Sequence, residues 1–287
     1  MSPRLHNFAA MTQRLLIILY TLLAAATPVF AQTPDNENDY VRMMGIADSA
    51  IAEGDWVRAE HTLRAAMQIE PGNPANVLLL SNIGMMQFYQ GNDSAAIETL
   101  TDACNIAPAA IAVHANRATV LEAAGRHDEA AADCRAILGI DSTNVRARAM
   151  LMTHCLRKGD NAGAKAQLDT LTAIAPQNPL TDIAAGSFYS STGDFTKAIP
   201  PLSRAIGRTP QAEYYAARAF CYLMTESLNE ASADIAEGLR LDPSEGELYL
   251  YRAMLNKMRY RSDEAAADAQ RAIKLGVSPL RALPFTK

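Results

Sequence analysis

The sequence predicts an all-α protein built as a linear array of helical hairpins, and three observations predict it. A skeleton of Gly, Ala five residues on, a second Ala and then Pro recurs at Gly54/Ala59/Ala66/Pro71, Gly91/Ala96/Ala103/Pro108 and Gly193/Ala198/Ala205/Pro210. Self-similarity at a period of about 34 residues is the signature of stacked units that bury their apolar faces on one another. Long Ala-rich stretches carry Leu, Glu, Arg and Gln, which favour helix. No run alternates apolar and polar residues as a half-buried strand would. With 49% hydrophobic but only 6% aromatic residues in a chain of 287, the core must be filled by Ala, Leu and Ile.

Residues 1–31 form a separate object. Arg4 and Arg14 precede an apolar block from Leu15 to Ala26, and Val29-Phe30-Ala31 then offers a cleavage pattern before Gln32. That order is the one a secretory signal has, so export with cleavage after Ala31 is expected. Met11 offers an alternative start that gives a signal of more usual length. Pro28, and an apolar stretch shorter than the roughly 20 residues a span requires, argue against an uncleaved anchor or a stable membrane span. No Cys lies near the cleavage point to carry a lipid. Residues 32–39, Gln-Thr-Pro-Asp-Asn-Glu-Asn-Asp, read as a solvated linker. Without Arg4 and Arg14, the 26 basic residues fall to 24 against 31 acidic ones, a net charge of −7. Such an acidic chain is not expected to bind nucleic acid or an anionic lipid surface.

The units align as 40–73, 77–110, 111–144, 145–178, 179–212, 212–245 and 246–279, with a tail at 280–287. Position 20 of each unit is Ala: Ala59, Ala96, Ala130, Ala164, Ala198, Ala231 and Ala265. A small residue is needed where the two helices of a unit cross closely. Position 15 is Gly54, Gly91, Gly125, Gly159 and Gly193, then Glu226 and Tyr260. It falls in the turn after the first helix, where Gly tolerates positive φ. Asp55, Asp160 and Asp194 follow that Gly and can cap the second helix. Position 32 is Pro in five units, and Pro disfavours helix in the residue before it. Pro200-Pro201 falls inside the second helix of the fifth unit, which predicts a hinge there or, preferably, a later helix start. The tail is too short for a long helix. It either folds back over the seventh unit, the preferred reading, or leaves an open end for a partner or a second copy of this chain.

These shared positions resemble the tetratricopeptide repeat family, whose unit is a 34-residue helix–turn–helix. The resemblance covers residues 40–279. It implies a right-handed superhelical solenoid of about seven repeats, acting as a non-catalytic scaffold for a protein or peptide partner in its concave groove. The family's aromatic at position 11 survives only as Tyr189 and Tyr222, and its position-8 Gly as Gly84 and Gly186. In this family positions 2, 5, 9, 12 and 13 of the first helix point into the groove. Carried over, they give a bulky patch with Met44, Met85, Phe88 and Tyr89, a polar centre with Arg146 and Arg157, and a second bulky patch with Phe220, Leu223 and Met254. Met can repack around varied apolar side chains, and Arg can take a carboxylate. The Lys and Asn with which some members clamp chaperone C-termini are missing, since Met44/Asp48, Ser81/Met85 and Ala115/Thr119 occupy those positions.

Cys104, Cys134, Cys155 and Cys221 include no C-x-x-C pair and fit no zinc or haem spacing. A Cys134–Cys155 disulfide is conceivable in an oxidising compartment, but buried free thiols are preferred. His61, His114, His127 and His154 are scattered, and no H-E-x-x-H, G-x-S-x-G, P-loop or EF-hand motif is present. No catalytic residue, metal or cofactor is therefore expected. The expected function is an envelope scaffold, periplasmic or secreted, that binds a polypeptide. The alternative is a structural component that self-associates through an uncapped last unit.

Overall fold

The computed structural model describes residues 34–286, with side chains from Asp39 onward. The expected signal at 1–31 lies outside the described residues. Fourteen helices of 13 to 20 residues pair as seven hairpins. The first three are α1 (Pro34–Glu53) with α2 (Trp56–Ile69), α3 (Asn76–Tyr89) with α4 (Asp93–Ile106), and α5 (Ile111–Ala123) with α6 (His127–Ile140). The other four are α7 (Val145–Arg157) with α8 (Asn161–Ile174), α9 (Pro179–Ser191) with α10 (Phe195–Arg208), α11 (Ala212–Met224) with α12 (Leu228–Leu241), and α13 (Gly246–Met258) with α14 (Ser262–Lys274). No strand occurs among the described residues. The chain divides into two compact units, one ending at Ser142 and holding hairpins one to three, the other starting at Thr143 and holding hairpins four to seven. Each is a length of α-solenoid built from helix–turn–helix repeats.

The recurring residues act as the spacing implies. All seven position-20 alanines have 0% exposure, at the point where the two helices of a hairpin meet. The five turn glycines all have φ between 74° and 87°. Glu226 and Tyr260 adopt the same left-handed conformation, with φ of 56° and 61°, although a Cβ is disfavoured there. The turn geometry is thus imposed by the hairpin, and Gly is only its least strained occupant. At Gly54 the 54 N–H bonds to Ile51 O and the 55 N–H to Ala50 O, which uses up carbonyls that the end of α1 would otherwise leave open. Asp55 and Asp160 cap their helices through the N–H of Arg58 and Gly163. Asp194 does not cap; its carboxylate instead takes the Lys197 ammonium at 2.9 Å.

Two expectations are corrected. Helix α1 starts at Pro34, so residues 34–39 are its opening turns and not a linker. A first-position Pro and the acids Asp35, Glu37 and Asp39 suit a helix N-terminus. Helix α10 runs from Phe195 straight through Pro200 and Pro201, so the helix does not start late. The two missing N–H groups leave the carbonyls of Thr196 and Lys197 unserved within the helix. The tail, in contrast, follows the preferred reading and covers the last hairpin. A short helical turn α15 (Pro279–Ala282) and a 3₁₀ turn (Leu283–Phe285) fold over it. Ala282 is fully buried against Leu250, Ala253, Ala269 and Val277, with Phe285 alongside. Arg281 ties the tail to Glu247 of α13 at 2.7 Å.

Candidate functional site

Within each unit, first helices of successive hairpins pack on one another: α3 on α5 in one unit, and α7 on α9, α9 on α11 and α11 on α13 in the other. Second helices of successive hairpins make at most isolated contacts. The first helices therefore form the inner layer, and any concave surface within a unit is theirs.

The sequence-derived groove residues divide on this layer. Met85, Tyr89, Phe220 and Met254 are half-buried, with part of each side chain at the surface. Arg146 and Arg157 are exposed on α7. They are 11 residues apart, about 16 Å along the helix axis, so they cannot close on one carboxylate. Met44 (2% exposed), Leu223 (1%) and Phe88 (8%) are core side chains. Met44 packs with Ile51, Leu63 and Ile83, and Leu223 with Ile235, Leu248 and Leu255. These positions border the next hairpin as well as the groove, and an apolar side chain there is drawn into the joint. The Phe88 ring supports Tyr89, with centroids 5.3 Å apart. On the other unit Phe195, Phe220 and Tyr251 form a run of ring contacts at 5.7 and 5.4 Å, and Tyr251 packs with Met254 and Met258 on the core of hairpins six and seven.

Polar atoms of the inner layer lack partners, among them Asn76 Oδ1 at the start of α3. Asp48 Oδ1 on α1 and Asn82 Nδ2 on α3 are buried without a hydrogen bond. Burial also raises the Asp48 carboxyl above its ordinary range. The reason for the Asn82 orphan is visible one hairpin on. Asn116, at the same repeat position, donates to Ser81 Oγ of the preceding hairpin at 2.9 Å. The residue that corresponds to Ser81 in the first hairpin is Met44, which offers no such acceptor.

Behind this layer, partly buried arginines paired with buried aspartates close hairpins three, six and seven. Arg117 donates to both Asp133 oxygens at 2.9 and 2.6 Å, Arg218 to Asp234 at 2.8 and 2.7 Å, and Arg252 to Asp268 at 2.9 and 2.6 Å. Each pair joins position 7 to position 23. The hydrogen bonds to aspartate push all three guanidinium pKa values further up. Arg117 and Arg218 also donate to Thr101 and Ser203 in the preceding hairpin. Their common spacing of 16 residues was visible in the sequence but belongs to no motif sought there.

Around Asp133 the cluster extends to His114 and Cys104, all three buried. His114 Nδ1 lies 2.8 Å from Asp133 Oδ1 and 3.7 Å from Cys104 Sγ, and its Nε2 lies 3.0 Å from Pro108 O. This is no nucleophilic triad. Cys104 and Asp133 address the same ring nitrogen, so no proton can be relayed through the imidazole. Burial moreover pushes the Cys104 thiol up to about 11, the nearby Arg117 lowering it less than burial raises it. No disulfide joins the four cysteines. No described helix is long and apolar enough to cross a membrane.

A family model for the tetratricopeptide repeat matches residues 121–186, from the end of α5 into α9. No curated protein matches the sequence. Among solved structures, the chain is similar to a tetratricopeptide repeat protein from Parabacteroides merdae ATCC 43184, with a TM-score of 0.74 at 23% identity, over 87% of this chain and 98% of that one. It is also similar to a chain of the APC/C hetero-tetramer Cut9–Hcn1, with a TM-score of 0.64 at 14% identity, over 85% of this chain and 54% of that one. A thermophilic tetratricopeptide repeat protein of Thermus thermophilus gives a TM-score of 0.55 at 20% identity, over 62% of this chain and 98% of that one. At such identities the likeness is one of fold. The matched repeat, the shared fold and the seven hairpins agree: residues 121–186 match the tetratricopeptide repeat, and the chain has the fold of tetratricopeptide repeat proteins.

Proposed function

We propose that the protein is a non-catalytic scaffold of the cell envelope that holds an extended polypeptide segment on its first-helix layer. The observation that carries this reading is the pair of orphaned buried atoms, Asp48 Oδ1 and Asn82 Nδ2. Each unmet group costs about 1–3 kcal/mol, so a native structure that keeps two of them on one layer calls for an explanation. A peptide main chain held against this layer would supply both missing partners, an N–H for Asp48 and a C=O for Asn82, once the side chains that cover them move aside. Half-buried Met85 and Tyr89 lie along α3 from Asn82 and can seat the apolar side chains of the same segment. On the other unit, Phe220 and Met254 offer a second such surface. The Cut9–Hcn1 structure, in which a chain of this fold sits in a hetero-tetramer, supports an assembly role. The net charge of −7 without residues 1–31 favours a protein partner over nucleic acid.

Envelope location rests on residues 1–31, with their basic start, apolar block and Ala31. N-terminal sequencing of the protein from its own cells is expected to begin at Gln32, and a chain that keeps its first residues in the cytoplasm overturns the location. Binding is tested by capture from an envelope extract with the purified chain. Asn82→Leu and Tyr89→Ala are expected to reduce the main captured partner at least tenfold, about 1.4 kcal/mol or more. Val57→Glu, on the exposed side of α2, should leave it unchanged. Equal loss from Val57→Glu, or none from the α3 variants, discards the first-helix layer as the binding face.

A further inference from the structure

The geometry points to a zinc-class divalent metal site inside the first unit, with Cys104 Sγ, His114 Nδ1 and Asp133 Oδ1 as its protein ligands. The three ligand atoms all lie within 4.8 Å of one another. Tetrahedral zinc, with bonds of about 2.3 Å to sulfur and about 2.0 Å to nitrogen or oxygen, sets an S···N separation of about 3.5 Å and an N···O separation of about 3.3 Å. The observed values are 3.7 and 2.8 Å. The first fits as it stands, and the second needs the imidazole and carboxylate to part by about half an ångström.

The surroundings supply what ligands of this kind require. His114 Nε2 sits 3.0 Å from the Pro108 carbonyl, which fixes the ring when Nε2 carries the proton. In that tautomer Nδ1 presents a lone pair, and it faces a carboxylate oxygen that is also an acceptor. A cation between them turns this opposition into two bonds. Backbone carbonyls on the outer nitrogen and donors on a ligating carboxylate are the usual supports of a metal-bound histidine and aspartate. Here Arg117 supplies the donor, from Nε to Asp133 Oδ2 at 2.9 Å. Binding displaces the Cys104 thiol proton, and water takes the fourth corner.

The other hairpins provide the comparison that singles this site out. The arginine–aspartate pair recurs in hairpins six and seven, so by itself it marks no ligand. What surrounds it differs. The position of Cys104 is held there by Ile206 and Leu239, and the position of His114 by Tyr215 and Tyr249, whose rings lie against Arg218 and Arg252 at 5.9 and 5.0 Å. Only in hairpin three are an aliphatic and an aromatic position replaced, both at once, by the two residue types that bind zinc best.

The same comparison supplies a test that does not confuse binding with folding. Cys104→Leu with His114→Tyr rebuilds the arrangement of hairpins six and seven and is expected to fold with the same helical circular dichroism. Purified protein, reduced and stripped of metal, is titrated with Co²⁺ and then with Zn²⁺ against a chromophoric chelator. The native chain is expected to take up one equivalent, with a thiolate-to-cobalt charge-transfer band that zinc removes. The double variant is expected to lose that band and to bind Zn²⁺ at least a hundredfold more weakly. A folded native chain that shows no charge-transfer band, or a double variant that binds as well as the native chain, overturns the site.

Discussion

Hairpins two and five close their two helices by one device, and hairpins three, six and seven by another. In the first pair a glycine at position 8 lies directly under a leucine at position 24, Gly84 under Leu100 and Gly186 under Leu202. A Cβ at either glycine would come within 2.6 Å of that leucine. In the other three hairpins position 8 is Ala118, Ala219 or Ala253, and the arginine–aspartate pair sits beside it. No hairpin uses both devices. Hairpin five, whose position 23 is Pro201, has its buried Asp182 served instead by Arg204 and Arg208. The repeat therefore fixes how far apart the helices are, while each hairpin is free to reach that distance by apolar contact or by charge.

The two devices should fail differently, and the largest effect is expected from half of an ion pair. Arg218→Leu leaves Asp234 buried without its two strong donors. Breaking a buried pair in this way costs about 3–5 kcal/mol. Arg218→Leu with Asp234→Leu removes both charges and should recover most of that loss, because a well-packed apolar pair often matches a buried ion pair. Urea unfolding followed by circular dichroism measures both. If the single variant loses less than about 1 kcal/mol, the pair is not what holds hairpin six closed.

Gly84→Ala probes the apolar device and should cost less. The new methyl must displace the Leu100 side chain, and overpacking of this kind costs about 1–3 kcal/mol, offset in part by the helix preference of Ala over Gly. Gly84→Ala with Leu100→Ala relieves the clash and exchanges it for a cavity, so the pair should be strongly non-additive. In hairpin three, Ala118 already occupies this position, and Ala118→Gly is expected to lose stability. An equal response of the two hairpins to Ala and Gly would erase the distinction between the devices.

How much of this was legible follows from which positions repeat. Ala at 20 and Gly at 15 recur because every hairpin has the same crossing and the same turn, so the period alone revealed seven hairpins. Met44 and Leu223 were misread because a position on the rim of a groove and one in the joint beneath it lie a fraction of a helical turn apart. Their side chains follow the apolar neighbours that the sequence does not display. The Asp48 and Asn82 orphans could not be read at all, since they are defined by what fails to face them across a joint. His114 and Cys104 were set aside on chain spacing and Asp133 was not singled out, because residues that meet from three helices carry no local motif. The Arg–Asp spacing of 16 residues was available and went unused. It places position 7 of one helix opposite position 23 of the next and is a signal to seek in other arrays of this kind.

The smallest expected effect concerns the turns of hairpins six and seven. Tyr260 is 95% exposed and touches little, yet its φ is 61°. A left-handed conformation costs a residue with a Cβ about 1–2 kcal/mol, and Gly avoids that cost while giving back about 0.5–1 kcal/mol in unfolded-chain entropy. Tyr260→Gly should therefore stabilise the protein by about 0.5–1 kcal/mol, a rise in unfolding midpoint without a change in slope. Gly125→Tyr in hairpin three should lose about the same amount. Hairpin three carries its arginine–aspartate pair together with a turn glycine, so it separates two explanations for the loss of glycine in hairpins six and seven. If Gly125→Tyr is tolerated as well as Tyr260 is, the ion pair suffices to hold the turn. If it costs several kcal/mol, hairpins six and seven owe their tolerance to something other than the pair they share with hairpin three.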